Sequence, residues 1–330
     1  MFEKVHWEYS EFLPVLPTVR DLAGCLDADP RLLYRISNHS AEFYTIHTIP
    51  KRNGGCRTIE APHPILKRIQ QRILRKILMQ VSTHPAATAF EPGRSIRDNA
   101  IRHVGRPVVI SLDIRNFFPS LKAGVVYAFF RKLGYDVPVA VLLTRLCTLY
   151  GHLSQGAPTS PRLSNLLLLP VDCGLAAWIG TKPVVYTRYA DDLTLSGALE
   201  REDVSEAIGV CRAALARMGL RLNSRKTKVR RRGSRQTVTG LVVNESVRVP
   251  RETKRALRQF MYYLDCFGWE SCREHFGPGD EMLLDRVIGF VNFMWDMDKT
   301  DLVLREWLDR LLLLKLHPEQ VPPPAYRAFQ

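Results

Sequence analysis

The run from Val108 to Leu112, apolar except for Ser111, constrains the fold of this chain more than any other stretch. Pro107 opens it and Asp113 closes it. So short and apolar a run reads as a strand buried on both faces, and a carboxylate at the end of such a strand is costly unless something binds it. A second pattern of the same kind follows. Val184 to Thr187 reads as a strand, Tyr189-Ala190-Asp191-Asp192 as a tight turn, and Leu193 to Ser196 as the returning partner. Two adjacent aspartates repel each other and raise each other's pKa. In an ordinary surface turn they would simply be solvated, but here core-type strands flank them and Asp113 supplies a third acid. Three carboxylates at one sheet edge need a cation, and a hard divalent ion with oxygen ligands meets that need. Mg²⁺ is the expected metal. Two such ions roughly 4 Å apart can activate an attacking hydroxyl and stabilise the leaving oxygens of an in-line phosphoryl transfer. Polymerases, nucleases and cyclases share that arrangement.

With 330 residues, 46% of them hydrophobic, the chain can build a sizeable core. Lys and Arg number 47 against 33 Asp and Glu, a formal charge of +14 that favours a polyanionic partner such as nucleic acid. No run approaches the ~20 apolar residues needed to span a bilayer, because Asn165, Pro170 and Asp172 interrupt the stretch after Leu163. Met1 to Ser10 has no apolar signal core. The seven scattered cysteines suit reduced thiols, so a cytoplasmic protein without a membrane partner is expected. Cys266, Cys272 and His275 read as packed side chains rather than a zinc site.

The opening third reads as mostly helical around one hairpin: Phe43 to Pro50, a turn at Asn53-Gly54-Gly55, and Arg57 to Glu60, with Lys51, Arg52 and Arg57 around its tip. From Ile65 to Leu78 apolar residues recur at helical spacing with basic residues between them. From Arg225 to Arg235 seven of eleven residues are Lys or Arg, among them Arg230, Arg231 and Arg232, a density suited to a phosphate backbone. From Arg251 onward about three helices are expected. Arg251, Lys254, Arg255 and Arg258 share one face of the first, offset from Leu257, Met261 and Leu264. Asp296, Asp298 and Asp301 lie in a helical region and are expected to face solvent.

Three blocks in order, Ser111 to Ser120 (SLDIRNFFPS), Ser154 to Asn165 (SQGAPTSPRLSN) and Tyr189 to Asp192 (YADD), resemble the catalytic blocks of reverse transcriptases. Asn99-Ala100 with His103, and Val238-Thr239-Gly240, resemble the retron branch of that family. The resemblance implies an α+β right-hand polymerase. Residues 1–105 would hold N-terminal helices and fingers, 106–245 an antiparallel palm with a fingers segment near 120–165, and 246–330 a helical thumb with a short tail. It implies Asp113, Asp191 and Asp192 as catalytic residues and ligands of two Mg²⁺ ions, joined by the Ile114 carbonyl.

The resemblance further implies that Lys51 and Arg57 grip the triphosphate and that Phe118 gates the sugar, with Phe117 read as core. Gln155 and Gly156 would pack against the nucleotide, and Lys226 would serve the leaving pyrophosphate, with Lys228 as substitute. Asn99, His103, Val238, Thr239, Gly240, the arginines at 230–232 and the Arg251 face would bind RNA or DNA. Ser154, where proline is common, and Ala89-Phe90, where Gly-Phe is usual, depart from the pattern. Implied partners are a cognate structured non-coding RNA that is both template and primer, its RNA–DNA product, dNTPs, a separate effector protein in phage defence, and host RNase H, since no nuclease domain is evident. Priming from an internal 2′-hydroxyl would leave a branched product. The alternatives are a group II intron-like or abortive-infection type reverse transcriptase, or a non-catalytic RNA-binding scaffold with the same fold.

Overall fold

A computed structural model describes residues 7–50, 54–180 and 182–318. The chain is α+β and forms two compact units. One comprises the described residues up to Asn99 together with Arg106–Arg231, and the other Ala100–Gly105 together with the described residues from Arg232 onward. The division at Arg231 precedes the boundary at 245 that the sequence suggested. A short hairpin follows that division.

That hairpin pairs Thr237–Val238 with Leu241–Val242. Thr239 and Gly240 form its two-residue loop with φ of 47° and 84°, the doubly left-handed turn that matches strand twist and favours glycine. Val238 is 1% exposed. Val238 is thus a buried residue that cannot face nucleic acid, whereas Thr239 and Gly240 stand at the hairpin's accessible tip.

In the first unit a four-stranded antiparallel sheet runs in the order Val184–Tyr189, Asp192–Gly197, Val108–Asp113, Lys228–Arg231. Val108, Val109, Ile110 and Leu112 are buried, as their apolar run requires. The sheet's helical cover includes Ser160–Leu167 and Leu169–Ile179, whose leucines join the same core. Among the described residues Lys228–Arg231 pairs with Val108–Ser111 alone. Basic side chains there discourage edge-to-edge pairing, whatever else they do.

The N-terminal hairpin pairs Tyr44–Pro50 with Cys56–Pro62. A basic amphipathic helix, Pro64–Lys76, follows and buries Leu66, Ile69 and Ile73. The C-terminal helices are Arg251–Phe276, broken at Gly268 (φ 77°), then Leu283–Met297 and Leu302–Leu316. Leu257, Met261 and Leu264 pack with Met294, Leu308 and Leu311 in a separate core. Cys272 is buried in it, and the His275 ring stacks on Tyr263 at 4.6 Å. Among the described residues no single helix is long and apolar enough to cross a membrane.

Candidate active site

Chain register alone brings the acids together. Asp113, the last residue of its strand, lies directly opposite Asp192, and Asp192 opposite Tyr189. Ala190 takes φ 56° to make the turn. The Ile114 amide donates to the Asp191 carbonyl at 3.0 Å, locking the two strand ends. Beyond Ile114 the chain bends through Asn116 (φ 49°) into the short Phe117–Ser120 helix.

The electrostatics are those of crowded carboxylates. Burial, reinforced by the charge of Asp113, holds Asp191 above the ordinary carboxylate range. Burial and then the charges of Asp191 and Asp113 push Asp192 to about 6. Asp113 is tied up by neighbours: Lys226 Nζ donates to its Oδ2 at 2.6 Å and Asn223 Nδ2 to its Oδ1 at 3.2 Å. That contact, outweighing burial, which acts in the opposite direction, raises the Lys226 pKa and keeps the amine protonated. Among the described residues no three His, Cys, Asp or Glu side chains form a ready-made metal cage. The donor set nevertheless fits a hard divalent cation, since it is all oxygen and two of its acids are disfavoured as anions without one.

One prediction follows from Asp192. A folded-state pKa of about 6 exceeds the ordinary value of 3.8, so the folded protein holds this proton more tightly than the unfolded chain does. The resulting stability is complete below the ordinary value and is lost as pH rises through about 6. Without divalent ions, Asp192→Asn should therefore raise Tm by a few degrees at neutral pH and leave it unchanged near pH ~4. Because the Asp192 side chain still reaches solvent, the effect is modest. Calorimetry of both proteins in chelator, at the two pH values, checks it.

Asp113 and Asp191 line a cleft together with Arg57, Phe118, Gln155 and Lys226, with Ile114 on its wall. The charge of Arg57 reaches Asp191 and partly offsets its raised pKa. Phe118 is half-buried, its ring 5.2 Å from Phe117, which is in the core. Lys51 lies outside the described residues.

Other expected contacts fall elsewhere. The Gly156 backbone (φ 145°) closely approaches the N-terminal hairpin: a Cβ there would stand 2.5 Å from the Glu60 carbonyl oxygen. Beside it the Glu60 amide donates to the Gln155 carbonyl at 2.9 Å, so this pair docks the hairpin. Asn99 and His103 are fully buried, which removes them from any RNA-facing surface. Arg251, Arg255 and Arg258 are exposed, but Lys254 forms an ion pair with Asp301. That contact leaves the Asp301 side chain 13% exposed, so it does not face solvent as expected. Asp296 and Asp298 make surface contacts with Lys299 and Thr300. Arg230 is half-buried in the edge strand, Arg231 reaches the Leu199 carbonyl at 3.4 Å, and Arg232 is exposed.

Sequence reasoning missed the buried cluster behind the turn. Arg188, three residues before Asp191, is fully buried and pairs with Asp172 at 2.6 Å, also fully buried. Arg188 Nη1 donates to Asn165 Oδ1 at 2.9 Å and to the Ala190 carbonyl at 3.3 Å, and Tyr186 donates to Asp172 at 2.7 Å. Asn165 Nδ2 donates to Glu91 at 2.8 Å, and Glu91 forms an ion pair with Arg162. The signal was present: Asn165 and Asp172 are the two polar side chains that interrupt an apolar run, and a buried charge must have a partner. In the sequence Phe90 stands out only as the second residue of the Ala89-Phe90 pair, whose alanine departs from the family pattern. In the fold it lines the cleft at φ 62°, its ring 6.5 Å from Phe118.

The reverse transcriptase (RNA-dependent DNA polymerase) family pattern matches residues 49–249, which span the three acids and the cleft residues Arg57, Phe118, Gln155 and Lys226. The chain belongs to the reverse transcriptase family. Retron Mx65 reverse transcriptase of Myxococcus xanthus is 39% identical over 276 residues, covering 76% of this chain and 64% of that protein. Retron Ec86 reverse transcriptase of Escherichia coli is 33% identical over 290 residues, covering 87% and 86%. An apo telomerase from Candida tropicalis has a TM-score of 0.47 at 13% identity, covering 63% of this chain and 55% of the other.

Proposed function

We propose that this reverse transcriptase synthesises DNA on a cognate structured non-coding RNA, with Asp113, Asp191 and Asp192 holding two Mg²⁺ ions. The observation that carries the reading is that Asp113 and Asp191 line one cleft with Arg57 and Phe118 while Asp192 stands directly opposite Asp113 across the strand pair. Bound there, the ions would activate the attacking hydroxyl and offset charge on the triphosphate. Arg57 supplies positive charge at the mouth of the cleft for the phosphates of a dNTP. Gln155 and Gly156 hold the hairpin that carries Arg57. Lys226 keeps its proton on Nζ and stands within reach of the cleft, ready to donate it to departing pyrophosphate once Asp113 releases it. The +14 charge and the exposed Arg232, Arg251, Arg255 and Arg258 suit the backbone of an RNA–DNA duplex.

The similarity to retron reverse transcriptases supports the finer reading: priming from an internal RNA 2′-hydroxyl, a branched RNA–DNA product, removal of copied RNA by host RNase H, and phage defence with a separate effector in the cytoplasm. The test is to incubate the protein with candidate structured non-coding RNAs transcribed from beside its own gene, labelled dNTPs and Mg²⁺. Labelled DNA that stays joined to RNA under denaturing conditions is the expected product. DNA made only on an added primer overturns the branched product, and no DNA on any RNA template overturns the whole reading.

The position of Phe118 in the cleft makes a second prediction. Its ring would lie beneath the sugar, where a 2′-hydroxyl is the handle that distinguishes ribose from deoxyribose. Phe118→Ala should reduce discrimination against ribonucleotides by roughly 10- to 100-fold, the scale expected when a steric contact is removed. The ratio of kcat/KM for a dNTP and its ribonucleotide measures this, and an unchanged ratio moves the gate to another side chain.

A further inference from the structure

Asn99 belongs to a block that marks the retron branch, yet its side chain is 0% exposed and cannot meet RNA. What it meets is Thr88, whose hydroxyl lies 3.1 Å from Asn99 Oδ1 and 3.1 Å from the Arg188 carbonyl. A hydroxyl has one proton and cannot donate to both oxygens. Asn99 Nδ2, meanwhile, is buried with no partner among the described residues. The two ends of an amide are nearly isosteric, and the orientation that satisfies both groups puts Nδ2 on the threonine. Asn99 Nδ2 then donates to Thr88 Oγ1, and Thr88 Oγ1 donates to the Arg188 carbonyl.

The receiving carbonyl is well placed to matter. Val184–Tyr189 is an outer strand of the sheet, and only its inner side is paired with Asp192–Gly197. On the outer side, at Arg188, residues 86–88 form an isolated parallel bridge. The Arg188 amide donates to the Ala86 carbonyl at 2.7 Å and the Thr88 amide to the Arg188 carbonyl at 2.9 Å. The Tyr189–Asp192 turn begins at the next residue. Behind it the Arg188 guanidinium is pinned by Asp172 and Asn165. The same segment runs on to Phe90 and Glu91, and the Ala89 carbonyl accepts from Asn165 Nδ2 at 2.7 Å.

We propose that Asn99 is a positioning residue for nucleotidyl transfer: through the Thr88 hydroxyl it fixes the Arg188 carbonyl, and so the register of the turn that carries Asp191 and Asp192. This rests on the reading that those two aspartates carry the chemistry. Misplacing reacting groups by a fraction of an ångström lowers the rate of the chemical step without loosening substrate.

The test compares Thr88→Val, which keeps shape but has no hydroxyl, with Thr88→Ser, which keeps the hydroxyl, and with Asn99→Asp, which keeps shape but has no amide donor. All are assayed below the lowest Tm of the set. The measurements are single-turnover DNA synthesis on an RNA template at varied dNTP concentration, and direct RNA affinity. Expected for Thr88→Val and Asn99→Asp is a kcat lowered roughly 10- to 100-fold, with KM for dNTP and RNA affinity within about twofold of the parent. Thr88→Ser should stay near the parent. Equal losses in the valine and serine variants would make Thr88 a packing residue and overturn the proposal, as would an unchanged kcat or a loss confined to RNA affinity. Wild type and Asp191→Asn on the same template separate the two readings. If wild type is active and Asp191→Asn equally so, it is the assignment of the aspartates that fails.

Discussion

Asp191→Asn, or Asp113→Asn, should lower DNA synthesis by roughly 10³-fold or more while RNA affinity stays near wild type, the scale on which loss of one electrostatic stabiliser of a charged transition state lowers kcat. Asparagine fills the same volume, so the Asp113–Asp192 register and the Ile114 to Asp191 hydrogen bond survive, the latter being entirely backbone. What disappears is one negative charge where charge has been concentrated against the resistance of burial. The two variants should differ in a secondary respect. Asp113→Asn also frees Lys226, whose raised pKa depends first on the Asp113 contact, whereas Asp191→Asn leaves that contact intact. Primer extension on an RNA template with Mg²⁺, beside filter binding of the same RNA, measures both. Near-normal extension by either variant would sink the assignment of the acids.

The largest expected effect on stability lies behind the site, not in it. Arg188 and Asp172 are both fully buried, and Asp172 also accepts from Tyr186. Removing one partner of a buried pair leaves an uncompensated charge and costs about 3–5 kcal/mol. Arg188→Met should therefore destabilise the first unit by about that much, with Asp172 stranded. Asp172→Asn should cost less, because an amide oxygen in the place of Oδ1 can still accept from Tyr186 and Arg188 Nε, although the charge and the acceptor for Arg188 Nη2 are lost. Replacing both, by Met and Leu, should recover part of the loss, since a buried pair exchanged for apolar groups is often close to neutral. Recovery stays incomplete because the Tyr186 hydroxyl would lose its carboxylate acceptor and Asn165 Oδ1 its guanidinium donor. Urea denaturation of the two single variants and the double variant gives the coupling. If the double variant is as unstable as the sum of the singles, the two side chains do not act as a pair.

Whatever depends on neighbours along the chain is legible in the sequence by itself. Val108–Leu112 has to be a buried strand because almost nothing in it can face water, and Tyr189–Asp192 has to turn because strand patterns flank it. The hairpin at Tyr44–Pro62 and the C-terminal helices follow from the same local periodicities. Even the meeting of Asp113 with Asp192 is close to determined, since both stand at the ends of strands that share one core. Tertiary structure decides the fate of polar side chains, because chain position does not say whether a polar group is solvated or satisfied from within. Asn99 looks like an RNA contact in the sequence and is a buried brace on Thr88. Lys254 looks like a phosphate contact and is held by Asp301, 47 positions away. Gly156 is a glycine whose need the sequence does not explain and the fold does, since a Cβ there would meet the Glu60 carbonyl. Asp172, which in sequence merely interrupts an apolar run, neutralises an arginine 16 positions on. Apolar burial is non-directional and so leaves a periodic trace in sequence, whereas a hydrogen bond or ion pair is made with one partner at one distance, and only the folded chain supplies that partner.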